Sequence, residues 1–115
     1  MLDRTALLLR MATGLVPKLV RLRPGNPYTF GDRLEERARK GAGQTAILFE
    51  AERWTYGDWN AAANRVAHWA AHQGIGKGDA VALLMENRPG FLATWSGLAK
   101  VGAITALLNT NLTGK

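Results

Sequence analysis

The chain has 115 residues, 47% of them hydrophobic, a formal charge of +6 and no cysteine. Its length suits one modest core. The missing thiols exclude a disulfide framework and a thiolate zinc site, which fits a reducing compartment, and no run approaches the roughly twenty apolar residues of a bilayer-spanning helix.

The charge is concentrated at the start. Residues 1–23 hold Arg4, Arg10, Lys18, Arg21 and Arg23 against Asp3, a balance of +4, whereas the rest holds ten bases against eight acids. Leu2, Leu7, Leu8, Leu9, Met11, Leu15, Val16, Leu19, Val20 and Leu22 alternate in clusters with those bases. The pattern is that of a basic amphipathic helix, broken near Gly14 and Pro17 into two short ones. Three readings stay open. The segment packs on the body and wears a solvated basic face. It lies in a membrane interface, with Arg10, Lys18, Arg21 and Arg23 near anionic headgroups. Or it is a targeting sequence, its Arg-rich, acid-poor start resembling a mitochondrial presequence but with little serine. Nucleic acid is not a partner on this reading, because the bases lack aromatic interleaving and no nucleic-acid module is present.

Residues 24–27 form a Pro/Gly-rich linker, and the body runs from 28 to 115. Thr29 caps a predicted helix to about Lys40, with Asp32, Glu35 and Glu36 toward its positive end and Arg37, Arg39 and Lys40 toward its negative end. After Gly41-Ala42-Gly43, Thr45 to Glu50 and Arg53 to Thr55 read as two short strands joined by a tight turn at Ala51-Glu52. Thr55 and Asp58 resemble a capping box. The helix they open carries Trp59, Ala63, Val66, Ala67 and Ala70 on one face and closes at Gly74.

Ala80 to Met85 is a continuous apolar run, expected as a strand buried on both faces of a parallel sheet. Pro89 opens a helix that Asn87 or Arg88 caps. Phe91, Leu92, Trp95, Leu98, Ala99 and Val101 cover most of its circumference, and Gly102 ends it. A second apolar run, Ala103 to Leu108, completes one right-handed strand-helix-strand unit, the brick of an α/β sheet. A sheet usually has about five strands, so these apolar faces call for more chain than the sequence contains. The fold expected is α/β and partial, as if truncated at Lys115.

Several patterns are weaker than they look. Gly74-Ile75-Gly76-Lys77-Gly78 follows a helix and opens a strand, the reverse of a phosphate-cradling loop, and reads as a plain turn. Thr113-Gly114-Lys115 lacks the rest of a phosphate loop. His68 and His72 are one turn apart on a helix, a metal-sharing spacing, but Trp69 occupies the place of a metalloprotease glutamate and no third ligand suggests itself, so they read as ordinary histidines. Asn111-Leu112-Thr113 fits the glycosylation acceptor pattern without a secretory signal beside it. Trp54, Trp59, Trp69 and Trp95 read as core or interface anchors rather than a stacking platform. No internal repeat is evident.

The stretches Trp54-Thr55-Tyr56-Gly57-Asp58, Asn64-Arg65-Val66-Ala67 and Gly76 through Asn87 resemble the N-terminal part of AMP-forming acyl-CoA synthetases. So do Phe91-Leu92-Ala93-Thr94-Trp95, Gly97 through Ala103, and Asn109-Thr110-Asn111-Leu112. The run from Lys100 to Leu112 favours the very-long-chain acyl-CoA synthetase and fatty-acid transport protein branch. The resemblance covers Tyr28 to Lys115 but only a minor part of such an enzyme. It implies a start of the ligase N-terminal domain and a parent that joins a fatty acid to AMP with ATP and Mg2+, then passes the acyl group to coenzyme A. The family's Ser/Thr/Gly-rich triphosphate loop, magnesium glutamate and adenylating lysine have no counterpart here. No catalytic, cofactor-binding or metal residue is therefore carried over, and the chain alone is expected to be inactive scaffold. The location implied is cytoplasmic, or peripheral at the cytoplasmic face of a membrane. A membrane-associated fatty-acid uptake protein and a stand-alone binding module are the alternatives.

Overall fold

The computed structural model describes residues 4–6, 8–9, 13, 27–111 and 114. Arg10, Lys18, Arg21 and Arg23, the membrane-contact candidates, lie outside the described residues, as do 24–26 of the linker.

Helix α1 (Phe30–Gly41) begins at Thr29, whose Oγ1 accepts from the Asp32 N–H at 3.3 Å while Asp32 Oδ2 accepts from the Thr29 N–H at 2.6 Å. Helix α2 (Tyr56–His72) begins the same way. Thr55 Oγ1 accepts from Asp58 N–H at 3.1 Å, and Asp58 Oδ2 accepts from Thr55 N–H at 2.9 Å. Each is a capping box that satisfies two end donors reciprocally. The sequence predicts the second box but only a simple cap for the first. Both starts spell Thr, aromatic, Gly, Asp, so a short local motif does recur, and it recurs in geometry.

Between these helices, β1 (Thr45–Phe49) and β2 (Glu52–Thr55) form an antiparallel hairpin with a bulge between Thr45 and Ile47. Its turn is Glu50-Ala51, one residue earlier than expected, because Phe49 pairs with Glu52. Glu50 takes a left-handed φ of 52° there, a conformation that an L residue with a side chain adopts at a cost.

Strands β3 (Ala80–Leu84) and β4 (Ile104–Leu108) pair in parallel through the crossover helix α3 (Pro89–Lys100), in register from Ala80 opposite Ile104 to Leu84 opposite Leu108. Arg88 is the N-cap and makes no side-chain cap bond. Pro89 stands at the first helical position, where no N–H is needed, and Arg88 instead pairs with Glu86 at 3.0 Å. Gly102 leaves the helix with φ 80°. Its carbonyl accepts from the Gly78 N–H at 3.1 Å, so the turn before β3 and the turn before β4 are tied together.

The core is the seam between α2 and α3. Ala62, Ala63 and Ala70 of α2 are buried, as are Ala93, Ser96, Gly97 and Leu98 of α3. A Cβ on Gly97 would lie 2.5 Å from Val66 Cβ and 2.6 Å from the Ala63 carbonyl oxygen. So close an approach admits only small side chains. Of Phe91, Leu92, Trp95, Leu98, Ala99 and Val101, only Leu98 is fully buried, and the tightest places belong to Ala93, Ser96 and Gly97. The rings pack at the margin of the seam, Phe30 lying 5.4 Å from Trp95 and 6.1 Å from Trp59 between centroids. Trp54, Trp59 and Trp95 are half-buried, whereas Trp69 is 55% exposed.

The parallel pair is not buried on both faces as expected. Leu83 is buried, with Val81 and Thr105 half-buried on its side. The alternate face carries Ala80, Ala82, Leu84, Ile104, Ala106 and Leu108, all exposed, with Leu84 and Ile104 each at 62%. Side chains alternate across a strand, so among the described residues the helices cover most of one side, where Leu107 stays 46% exposed, and leave the other apolar and open.

Candidate functional site at the carboxyl edge of the parallel pair

In open α/β sheets, ligands sit beyond the carboxyl ends of parallel strands. At that edge the chain has a groove of about 480 Å³. One wall is apolar, from Met85 after β3, Phe91 in the first turn of α3, and Leu107 and Leu108 at the end of β4. The rim is amide and hydroxyl, from Asn87, Asn109, Thr110 and Asn111. The Asn111 N–H donates to Asn109 Oδ1 at 2.9 Å, which shapes the chain as it leaves β4.

Two polar anchors hold α3, and with it this groove, against the other helices. Ser96, 0% exposed, accepts from Trp59 Nε1 at 3.0 Å and donates to the Leu92 carbonyl at 2.5 Å. Lys100 ends the helix with a side chain only 9% exposed. Its Nζ donates to Glu35 Oε1 of α1 and to Asn60 Oδ1 of α2, both at 2.8 Å. Gly31 of α1 lets the stem of Lys100 pass, since a Cβ there would stand 2.7 Å from Lys100 Cγ. One ammonium thus joins α1, α2 and α3. Glu35 is half exposed, so solvent screens part of that ion pair.

The groove has hydrogen-bonding groups and an apolar wall, but no titratable or nucleophilic thiol or amine side chain lines it. It can bind and orient; it has no general acid or base. Two carboxyls elsewhere sit below the ordinary carboxylate range, Asp32 and Asp58, each held down first by the backbone N–H of its cap threonine and then by that threonine's hydroxyl. They serve helix starts, and neither lines the groove.

The sequence names no catalytic residue, and the rim amides enter it only through the family resemblance. A cluster of Asn and Thr immediately after a buried-strand pattern, at the carboxyl end, was the signal available. Gly74 to Gly78 is the turn expected. Gly74 and Gly78 have φ of 77° and 86°, and the Gly76 N–H donates to Asp79 Oδ2 at 2.8 Å. His68 and His72 both face solvent on α2. Among the described residues no group of three or more metal-ligating side chains is gathered, and no helix is long and apolar enough to cross a membrane.

A parallel strand-helix-strand unit with helices on one face and a groove at the strand ends is part of an α/β domain. Comparison with known proteins gives the family: residues 34–115 match the AMP-binding enzyme family, and the chain belongs to it. Long-chain fatty acid transport protein 6 of Mus musculus is 39% identical over 100 residues, which is 86% of this chain and 16% of that protein. A crotonobetaine/carnitine--CoA ligase of Salmonella typhi is 40% identical over 77 residues, 63% of this chain and 15% of the ligase. Among solved structures, a Mycobacterium tuberculosis fatty acyl CoA synthetase superposes with a TM-score of 0.69 at 40% identity, covering 73% of this chain and 17% of that one. The chain thus spans about a sixth of the length of each of these three proteins.

Proposed function

We propose that this chain is the opening part of the N-terminal domain of an ATP-dependent ligase that joins a fatty acid to coenzyme A, and that the part described here is scaffold and groove wall. The observation that supports this most directly is the 39% identity to a long-chain fatty acid transport protein over 86% of the chain, with a fatty acyl CoA synthetase matching its backbone. ATP, Mg2+ and coenzyme A are proposed for the whole protein. The described residues do not fit a nucleotide or its metal: the glycine-rich turn opens a strand rather than a helix, and the groove has no cation and no carboxylate. No reaction step is assigned to them. The stand-alone binding module is not favoured by these matches.

Replacing the corresponding segment of an active fatty acyl CoA synthetase by residues 34–115 tests the reading. The chimaera should retain palmitate-dependent pyrophosphate exchange and acyl-CoA formation. A chimaera that folds, as judged by its unfolding transition, but shows neither would refute it.

A second reading is favoured by one observation at the other end. Leu8 and Leu9, both helical, expose 66% and 61% of their surface, so among the described residues these apolar side chains are left largely uncovered. We propose that the basic segment rests on an anionic membrane surface, which would place the protein at a cytoplasmic membrane face and the ligase beside its fatty acid supply. Cosedimentation with phosphatidylserine vesicles should fall when Arg10, Lys18, Arg21 and Arg23 are replaced by Gln. Unchanged cosedimentation removes this reading and leaves the ligase assignment standing.

A further inference from the structure

His68 and His72 are the chain's two histidines, and it has no cysteine, so all of its imidazole donors are on one helix and no thiolate competes with them. They are one turn apart on α2, where residues four apart stand about 6 Å apart between Cβ atoms, and both are exposed. Among the described residues neither imidazole makes a hydrogen bond or an ion pair. His72 is the last residue of a helix of 17 residues, and the negative end of the helix dipole favours a cation there. No Asp or Glu occurs between Trp59 and Lys77, so no anchored carboxylate of that stretch holds the imidazoles in a competing ion pair.

We propose that His68 and His72 form a two-imidazole site for a borderline divalent transition ion such as Ni2+, Zn2+ or Cu2+, and that the bound ion fastens the last turn of α2. Imidazole suits these ions, and water completes the coordination shell, since two protein ligands leave positions open. The last turn of α2 leads directly into the Gly74–Asp79 turn, and Ile75 N–H donates to the Ala70 carbonyl at 2.9 Å. Fastening it therefore also steadies the entry to β3. The site is separate from the ligase reading and does not depend on it.

The test uses the untagged 115-residue chain and Ni2+ alone in a non-coordinating buffer. Calorimetric titration should show about one ion per chain, with affinity falling about tenfold or more in either His68→Ala or His72→Ala. Saturating Ni2+ should raise the melting temperature of the parent chain and of neither variant. Alanine is the best helix former, so the far-ultraviolet spectra of the variants should match the parent. Adding Ala71→His to His72→Ala keeps two imidazoles on one flank and should restore binding, whereas adding Gln73→His to His72→Ala should not. Equal affinity in a single alanine variant overturns the two-imidazole site, as does equal rescue from positions 71 and 73. Binding with no rise in melting temperature overturns the fastening.

Discussion

Replacing Gly97 by alanine sets two known effects against each other. In a helix interior, Gly to Ala is worth about 1 kcal/mol in favour of the folded state. Here the added methyl would lie 2.5 Å from Val66 Cβ, 2.6 Å from the Ala63 carbonyl oxygen and 2.7 Å from Val66 Cγ1. A rotamer change relieves only the last contact. The others involve backbone and a Cβ, so α2 and α3 must separate, stretching the Trp59 to Ser96 hydrogen bond one residue away. Overpacking of a filled seam costs about 1–3 kcal/mol, and contact with backbone places this case toward the upper part of that range. The expected net loss is about 1–2 kcal/mol, a fall in melting temperature of about 5–15 °C for a body of this size. Gly90→Ala is the matched control. It lies in the first turn of the same helix, and its Cβ would meet only Met85 Cε at 3.7 Å, so it should be neutral or stabilising. Urea unfolding followed by circular dichroism, at concentrations where sedimentation shows a monomer, reads both as shifts in midpoint at constant slope. If Gly97→Ala unfolds at the same urea concentration as Gly90→Ala or higher, the close-packed seam is refuted.

Thr105 Oγ1 is buried without a hydrogen-bond partner among the described residues, so Thr105→Val, which keeps the shape and removes that hydroxyl, should stabilise by about 1 kcal/mol; a lower urea midpoint would show that the hydroxyl has a partner after all. Asp32 and Asp58 have carboxyls lowered in the folded state, so their contribution to stability is present above the ordinary carboxylate range and lost as pH falls through their folded values. The variants Asp32→Asn and Asp58→Asn should be less stable at neutral pH and lose less on acidification, and parallel pH profiles for parent and variants would contradict this. Replacing Glu50 by glycine removes the cost of a left-handed φ of 52° and should raise the melting temperature slightly, the relief of about 1–2 kcal/mol being offset in part by added backbone entropy. The purified chain should form no palmitoyl-CoA from palmitate, ATP and coenzyme A, and any measurable product would overturn its assignment as scaffold.

The elements were legible because their ends are written in short-range chemistry. Thr29 and Thr55 supply hydroxyl acceptors, Pro89 fits the first turn of α3, and Gly74 and Gly102 take the left-handed conformation where two helices stop. The parallel pairing of β3 with β4 followed from two apolar runs and a connection of crossover length. What was not legible depends on how closely elements approach. The large residues of α3 cover most of its circumference in the sequence, which does not say which side packs closest, and packing distance gave the innermost places to Ala93, Ser96 and Gly97 beside Leu98. The hairpin turn moved by one residue because a bulge and the Phe49–Glu52 pairing set the register, and a positive φ at Glu50 has no residue signature. Of the groove, the apolar wall carried a strand pattern, and the Asn109-Thr110-Asn111 cluster after it entered only through the family resemblance. Its amide rim is polar loop in sequence and becomes a site only where two strands end side by side.

The two faces of the β3–β4 pair differ in a way that separates stability from function. On the helical side the seam is closed by small residues and fastened by Trp59–Ser96 and by the Lys100 ammonium, which reaches α1 and α2 together. On the other side Leu84, Ile104 and Leu108 are exposed beside strand edges that pair with no other strand among the described residues, an arrangement prone to recruit further strands or chains. The groove stands at the end of these same strands, between Met85 and Phe91 on the closed side and Leu107, Leu108 and Asn109 at the end of β4. Its wall on α3 is thus set by the internal seam, while its wall on β4 belongs to a strand that, among the described residues, pairs only with β3. Substitutions in the seam should change how firmly α3 and its first turn are held. Anything that pairs with β4 or covers its open face should change the position of Asn109, Thr110 and Asn111 without disturbing the seam, and the two kinds of change are independent wherever they share no contact.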